Sequence, residues 1–366
     1  MADEPLLPDY EGGCIANVVP ALQDPAPTCP PWLPAMAHDA EQVVLLVLDG
    51  LGWEQLLERR SLAPTLVAMQ GGPITSVAPS TTATALTSIT TGLAPGEHGV
   101  IGYRIGLGGD VLNVLRWHTS AGDARKRLPP HEFQPHPAFA NQCPPVVTRA
   151  EFSSSGFSGI HLDPVRFRGY RVPSSLPVEV GALLRSGEPF VYAYYDGIDK
   201  VAHEYGLAEH YDAELVATDR LVADVIAALP RGAVLLVTAD HGQVHTGVDK
   251  VDLDDSVERL VAAQSGEARF RWLHARPGRV DELADAARAA HHDHAWVRTR
   301  DEVVGQGWLG PKVTDEAASR LGDVALVAKG TVAFDDPRDT GILKMLARHG
   351  SVTAAELLVP LVVAQG

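Results

Sequence analysis

The sequence is poor in cysteine, in basic charge and in long apolar runs, and each shortage excludes a class of protein. Its three cysteines, Cys14, Cys29 and Cys143, are scattered and form no CxxC pair. A disulfide framework or a cysteine-based zinc site is therefore not expected, and a reducing compartment is favoured. Lysine and arginine number 30 against 46 aspartate and glutamate, a formal net charge of −16. This acidic balance argues against a general surface for nucleic acid or anionic lipid.

No apolar run approaches the roughly 20 residues of a membrane-spanning helix. The N-terminal stretch MADEPLLPDY is acidic and has no basic segment followed by an apolar one, so we expect no signal peptide and a cytoplasmic location. A P-loop or GxGxxG motif between a strand and a helix is also missing, which excludes the common nucleotide-binding loops. The oligomeric state is not readable from these features.

The chain organisation is that of one large α/β domain with additions. Residues 1–40 are rich in proline and are interpreted as an N-terminal arm. Residues 41–366 alternate strand and helix patterns, which predicts a central, mostly parallel sheet flanked by helices. Two stretches depart from this alternation, at about 100–145 and about 252–335. Both are predicted to be insertions, and the first is placed to act as a cap or lid over a substrate.

Three continuous apolar runs predict strands buried on both faces of a parallel sheet. They are Val43–Leu48, Phe190–Tyr195 and Ala233–Thr238. Asp49 and Asp196 directly follow the first two runs, and the pair Asp240–His241 follows the third after Ala239. Since α/β sheets bind ligands at the carboxyl ends of their strands, these side chains are candidates for one site.

A second carboxylate follows the middle strand. Asp199 and His203 are four residues apart, which places them on one face of a helix and lets them meet one metal ion. The same spacing is also common in surface pairs, and Asp196, nearer the strand end, remains a competing ligand. His245 lies shortly after the third strand and is a candidate substrate contact.

Three consecutive hydroxyls, Ser80, Thr81 and Thr82, precede a small-residue helix that Gly92 and Pro95 end. A hydroxyl in the first turn of a helix lies where free N–H groups and the helix dipole favour an anion. It could act there as a nucleophile on a phosphate, or a hydroxyl could merely be the N-cap. Combined with the Asp and His residues, the first alternative predicts a two-metal phosphoryl-transfer site. Nitrogen and carboxylate ligands favour zinc, with manganese or another divalent ion as alternatives.

The ordered motifs VLDG, PSTT…TGLAPGEHG, DGIDKVAHEYG, VTADHG and RHGS resemble the alkaline phosphatase superfamily, in particular its type I phosphodiesterase/nucleotide pyrophosphatase family. The resemblance covers residues 43–363. It implies an alkaline-phosphatase-like fold with two zinc ions at the strand ends. It also implies hydrolysis of phosphodiester or nucleotide pyrophosphate bonds in a small phosphorylated substrate, such as a nucleotide, through a covalent threonine intermediate.

The resemblance also assigns roles to single residues. Thr82 is the nucleophile, since its spacing from the Thr91–Gly92 pair matches the family position. One zinc ion is held by Asp49, Asp240 and His241 and meets the oxygen of Thr82. The other is held by Asp199, His203 and His349.

One position departs from the family pattern. Family phosphodiesterases commonly carry an asparagine three residues after the nucleophile, where this chain has Ala85. We expect Tyr103, Arg104 or Arg116 from the first insertion, or a backbone N–H, to bind the phosphate oxygen instead. The alternatives are a phosphonate or phosphomonoester hydrolase or a phosphomutase on the same site, or a non-catalytic metal-binding protein.

Overall fold

A computed structural model describes residues 4–23, 28–248, 250–339 and 345–366. In chain order, its strands are β1 (Val43–Leu48), β2 (Gln70–Thr75), β3 (Arg104–Gly106), β4 (Val111–Asn113), β5 (His118–Thr119), β6 (Gly122–Asp123), β7 (Pro145–Arg149), β8 (Arg166–Tyr170), β9 (Phe190–Tyr195), β10 (Val234–Thr238), β11 (Val244–His245), β12 (Val261–Gly266), β13 (Phe270–Ala275), β14 (Ala295–Thr299), β15 (Val324–Ala328), β16 (Ala347–Arg348) and β17 (Leu358–Gln365).

The helices are α1 (Ile15–Gln23), α2 (Ala35–His38), α3 (Trp53–Glu58), α4 (Pro64–Ala68), α5 (Thr82–Thr91), α6 (Pro95–His98), α7 (Pro130–Phe133), α8 (Ser158–His161), α9 (Leu176–Arg185), α10 (Gly197–Tyr205), α11 (Glu209–Ala228), α12 (Asp255–Glu258), α13 (Val280–His291), α14 (Arg300–Gly305), α15 (Asp315–Ser319) and α16 (Ala354–Leu357). Short 3₁₀ turns lie at Ala138–Asn141, Ala150–Ser154 and Pro173–Ser175.

The central sheet has the strand order β2-β17-β10-β1-β9-β7-β8. The five strands from β10 to β8 are mutually parallel, and β17 runs antiparallel to both of its neighbours. This arrangement confirms the predicted mostly parallel sheet. All six residues of β1 are buried, as expected for a strand in the middle of a sheet that helices flank.

The strands that the apolar runs predicted are present. Two of them, β1 and β9, have the predicted bounds, and β10 begins one residue later than expected. The edge strand β2 carries no signal of this kind, because Gly71, Gly72 and Pro73 interrupt it. Such residues are tolerated at sheet edges but are depleted in strands generally.

The N-terminal arm packs on the domain through α1, which contacts α5. Ile15 and Val18 of this helix are fully buried, so the arm contributes to the core. The part of the predicted arm at residues 24–27 lies outside the described residues.

The two predicted insertions each contain a small antiparallel sheet. Strands β3, β4, β5 and β6 form the first, called here the lid sheet. Its strands are only two or three residues long, too short to give a period-2 pattern. The second, called here the cap sheet, has the order β12-β13-β15-β14 and carries α13 against its own apolar cluster.

None of the helices in the described part of the chain combines the length and the apolar character that a membrane crossing requires.

Candidate active site

The carboxyl ends of three neighbouring strands meet at one place in the central sheet. Val47 of β1 is paired with Thr238 of β10 on one side and with Tyr194 of β9 on the other. The three strands therefore end at the same level. Backbone contacts connect the loops beyond them, since the N–H of Gly50 donates to Asp240 Oδ1 at 3.1 Å. The N–H of Asp199 donates to the carbonyl of Asp49, also at 3.1 Å.

Asp49, Asp240 and His241 form a first buried group of potential metal ligands, with ligand atoms within 4.8 Å of one another. His241 Nε2 lies 3.5 Å from Asp49 Oδ1 and 3.4 Å from Asp240 Oδ2. Neither of those two oxygens has a hydrogen-bond partner among the described residues. Buried polar atoms are normally paired, so two unpaired carboxylate oxygens beside an imidazole fit a divalent cation.

A second group adjoins the first. Asp199 Oδ1 lies 3.3 Å from His203 Nε2 and 3.8 Å from His349 Nε2. The set whose atoms all fall within 4.8 Å is Asp199, His241 and His349. His241 thus touches both groups, and its ring stacks on that of His349 with centroids 3.5 Å apart. His203 contacts Asp199 but stands at the periphery of this group.

The three histidines are oriented in the same way. In each, Nδ1 bonds to a backbone carbonyl: His203 to Ala347 at 2.8 Å, His241 to Gly242 at 3.0 Å and His349 to Ser80 at 3.0 Å. Because a carbonyl oxygen only accepts, Nδ1 must carry the hydrogen. Nε2 of each ring is then directed at the carboxylates, which is the orientation of a metal ligand.

Burial and crowding shift the pKa values of three members of this cluster. Burial, followed by the charges of Asp240 and Asp199, raises the pKa of Asp49 well above its usual range. Burial likewise raises the pKa of Asp240. Burial, with His241 and His203 nearby, holds the pKa of His349 well below its usual value. Metal ions are coordinated by neutral imidazole and ionised carboxylate, so a bound cation would reinforce the shift at His349 and oppose the shifts at the two aspartates.

Thr82 is the first residue of α5, and its Oγ1 lies 3.1 Å from His241 Nε2. The neighbouring hydroxyls serve other purposes. Ser80 is fully buried and donates to the carbonyl of Ser351 at 2.6 Å. Thr81 is buried in the N-cap position but makes no capping hydrogen bond. Of these three residues, only Thr82 is partly exposed, and its hydroxyl is the one that contacts the cluster.

Two cavities open on Thr82. The apolar cavity, of about 210 Å³, is lined by hydrophobic and aromatic side chains, among them Leu86, Phe152, Phe157, Leu162 and Tyr192, and on its polar side by residues that include Asp49, Asp196, Asp199 and Lys200. The metal cavity, of about 630 Å³, also holds Asp199, His203 and His349. Its remaining polar and charged lining includes Tyr103, Arg116, Lys250, Glu267 and Arg348.

Of the four predicted substrate contacts, Tyr103 and Arg116 line the metal cavity, whereas Arg104 and His245 do not. Arg104 is buried in an ion pair with Asp336. His245 is exposed, and its Nδ1 accepts from the N–H of Leu207 at 3.4 Å.

The competing ligand Asp196 is engaged elsewhere. Arg149 Nη1 lies 3.5 Å from Asp196 Oδ1, and Lys200 pairs with the other oxygen. These two cations compensate a carboxylate that is itself buried. Asp199, one helical turn further along the chain, is the carboxylate that reaches the cluster.

Several residues at the site escaped the sequence reasoning, among them Tyr194, Gln243 and Glu267. The hydroxyl of Tyr194 donates to Asp49 Oδ2, and the side-chain amide of Gln243 donates to Asp199 Oδ1. Glu267, at the turn between β12 and β13, accepts from the N–H of Tyr103 at 3.2 Å. Burial raises the pKa of Glu267 to about 7. Tyr194 had a signal, because period 2 in FVYAYY puts its ring on the same face as that of Tyr192.

Comparison with known structures shows the same fold in proteins of low sequence identity. Human ectonucleotide pyrophosphatase/phosphodiesterase 5 is 15% identical with a TM-score of 0.65, over 88% of each chain. The murine protein of the same name gives 14% and 0.64, over 89% of this chain and 88% of its own. Phosphonoacetate hydrolase from Sinorhizobium meliloti 1021, solved with phosphonoacetate, gives 18% and 0.64, over 89% and 90%.

A comparison with curated protein sequences gives no significant match. The family model described as type I phosphodiesterase / nucleotide pyrophosphatase matches residues 43–162 and 185–352. These two segments contain Thr82 and all six predicted ligands and make up most of the chain. The chain therefore belongs to the type I phosphodiesterase/nucleotide pyrophosphatase family of the alkaline phosphatase superfamily.

Proposed function

We propose that this protein is a divalent-metal-dependent hydrolase of phosphodiester or nucleotide pyrophosphate bonds, with Thr82 as its nucleophile. One observation carries the proposal. Thr82 Oγ1 lies 3.1 Å from His241 Nε2, and His241 is the residue that the two groups of potential ligands share. The hydroxyl is thus next to both candidate metal positions.

The donor atoms support two zinc ions, since zinc prefers nitrogen and carboxylate ligands. Asp49, Asp240 and His241 would hold one ion. Asp199, His203 and His349 would hold the other. When bound, the cations supply the positive charge that lowers the pKa of the Thr82 hydroxyl and stabilises the phosphoryl and leaving-group oxygens.

The residues of the chain then account for two displacements at phosphorus. Thr82 Oγ forms a bond to phosphorus while the bond to the leaving-group oxygen breaks, which leaves a phosphoryl ester on the threonine. Water attacks the same phosphorus and releases Thr82. In the net reaction, one diester and one water are converted to one monoester and one alcohol. The free N–H groups and dipole of the first turn of α5 favour the anion during both steps.

The apolar cavity supports a substrate with one aromatic or apolar arm, because its lining offers hydrophobic area and aromatic rings beside Thr82. A nucleoside fits that description. A solved structure of the murine relative contains AMP bound to an inactive threonine-to-alanine variant.

A second candidate is supported by Ala85, which is fully buried in α5 and offers no amide to a phosphate oxygen. Arg116, Lys250 and Arg348 in the metal cavity could instead face a small, highly charged substrate. This alternative is a phosphonate or phosphomonoester hydrolase.

Hydrolysis of bis-p-nitrophenyl phosphate beside p-nitrophenyl phosphate distinguishes the candidates. The metal-free protein is assayed alone and after addition of zinc or manganese. A metal-dependent preference for the diester is the expected result. A preference for the monoester would support the second candidate instead. Failure to hydrolyse either ester with two zinc ions bound would contradict a general phosphoesterase.

A further inference from the structure

A third cavity, of about 1080 Å³, lies between the lid sheet and strand β12 of the cap sheet. We call it the arginine cavity. Its charged and imidazole-bearing lining residues are Arg104, Asp110, Arg116, His118, His274, Arg300, Arg338 and Asp339. It adjoins the metal cavity, because Tyr103, Asn113, Arg116 and Asp339 line both. A ligand arm that extends from the metal cavity past these shared residues enters the arginine cavity.

The charge of this lining differs from that of the whole protein. The chain carries a formal net charge of −16, yet four arginines and only two aspartates face this cavity. Arg104 pairs with Asp336, and Arg300 pairs with Asp323. Within the described ranges, the guanidinium groups of Arg116 and Arg338 have no carboxylate within 4 Å. Two positive charges are therefore available to an anion.

The lid sheet leaves room at one wall of the cavity, and hydrogen bonds hold the boundary with the metal cavity. Gly108 and Gly109 adopt φ values of +61° and +126°, and a Cβ on either would meet no atom within 4 Å. The partition from the metal cavity is held by a hydrogen bond of 2.8 Å from the Asn113 amide to the Tyr103 hydroxyl. Glu267 holds the backbone of Tyr103 from the cap side. Arg116 lies where the two cavities meet.

We propose that one ester arm of the substrate passes Arg116 into the arginine cavity and carries a second anionic group, a phosphate or a carboxylate, that Arg116 and Arg338 bind. The inference rests on the proposed function and narrows its substrate class. The substrate is a phosphodiester or pyrophosphate with one apolar arm, in the apolar cavity, and one anionic arm. Guanidinium groups suit this task because their planar donors match carboxylate and phosphate oxygens.

Three synthetic diesters test the proposal. The parent is phenyl 4-nitrophenyl phosphate, from which nitrophenolate is the leaving group. The two others add one carboxylate, either to the nitrophenyl ring or to the retained phenyl ring. We expect the wild type to show a kcat/KM about five- to tenfold higher for one of the charged esters than for the parent. The preference should decrease with added salt, because both arginines are exposed.

Arg338→Gln should remove most of this preference, and Arg338→Lys should retain part of it. Arg231→Gln, which removes an exposed charge elsewhere, is the matched control and should leave all three rates unchanged. A parent ester that is hydrolysed with no preference for either charged ester overturns this inference alone. A preference that persists unchanged in Arg338→Gln and Arg116→Gln also overturns it. If all three esters are inert, the proposed function fails and the inference fails with it.

Discussion

Arg269 and Glu356 form a fully buried, bidentate ion pair that joins the cap sheet to the active-site loops. Arg269 Nε and Nη2 donate to the two carboxylate oxygens at 2.7 Å each. Glu356 Oε1 also accepts from the N–H of Ser351 at 3.0 Å. Through the carbonyl of Ser351, the loop that carries His349 is tied to Ser80, next to the nucleophile segment. The turn between β12 and β13 therefore positions both sides of the metal cavity.

Breaking this pair should destabilise the protein strongly. Arg269→Met leaves the Glu356 carboxylate buried without its cation, which typically costs about 3–5 kcal/mol in free energy of unfolding. The matched control is Arg166–Glu188, another bidentate pair, in which half of the arginine side chain is exposed. Glu188→Gln should cost less than about 1 kcal/mol because solvent screens that pair. Denaturant unfolding measures both values, and equal costs would contradict a special role for the buried pair.

Thr82→Ala should reduce turnover of bis-p-nitrophenyl phosphate by about 10³-fold or more, as expected for removal of a nucleophile. Metal content, measured by atomic emission, should remain close to wild type because the histidine and aspartate donors are untouched. Thr91→Ala at the other end of α5 is the control, and its rate should not change. Unchanged turnover in Thr82→Ala would remove Thr82 as the nucleophile.

His349→Ala should lower metal content by about one ion per chain while the ion at Asp49 and Asp240 is retained. The reason is geometric, since His349 Nε2 faces Asp199 and not those two carboxylates. His131→Ala, which removes an exposed imidazole, is the control. Retention of two ions by His349→Ala would contradict its assignment as a ligand.

Glu267 should make stability depend on pH below neutrality. Burial raises its folded-state pKa to about 7 from an ordinary 4.5. The folded protein then binds more protons than the unfolded chain between these values, so stability decreases as pH rises through that window. Glu267→Gln should lack this component. The wild type should lose about 3 kcal/mol relative to the variant between pH 4.5 and 7.

The control is Glu258→Gln, which changes an exposed carboxyl and should follow the wild-type pH profile. Unfolding is measured on metal-free protein at each pH. Parallel profiles for the wild type and Glu267→Gln would show that Glu267 ionises normally in the folded protein.

Features of the site that depend on a few consecutive residues could be predicted from the sequence. Continuous apolar runs predicted β1, β9 and β10, because a strand buried on both faces needs apolar residues at every position. The positions of the carboxylates after these strands follow from the same boundaries, and the three hydroxyls before a small-residue helix predicted the start of α5. The family motifs added His349, which no local pattern marks as a ligand.

The local residue pattern left neighbours of the same type as alternatives, and the family resemblance chose Asp199 and Thr82 among them. The tertiary structure supplies the physical reason for each choice. Asp196 and Asp199 differ because Arg149 and Lys200 compensate the first and not the second. Thr82 is distinguished from Ser80 and Thr81 by which hydroxyl faces His241. Such differences depend on side chains that come from distant parts of the chain.

The same holds for Tyr194, Glu267 and the Arg269–Glu356 pair. Each acts through a contact with residues more than 80 positions away, and no spacing rule links such partners. A strand or helix is specified by the chemistry of a few consecutive residues. Packing, in contrast, decides which charged groups are compensated by other side chains and which remain free to bind a ligand. The reason is that desolvation and Coulomb energies depend on distance in space.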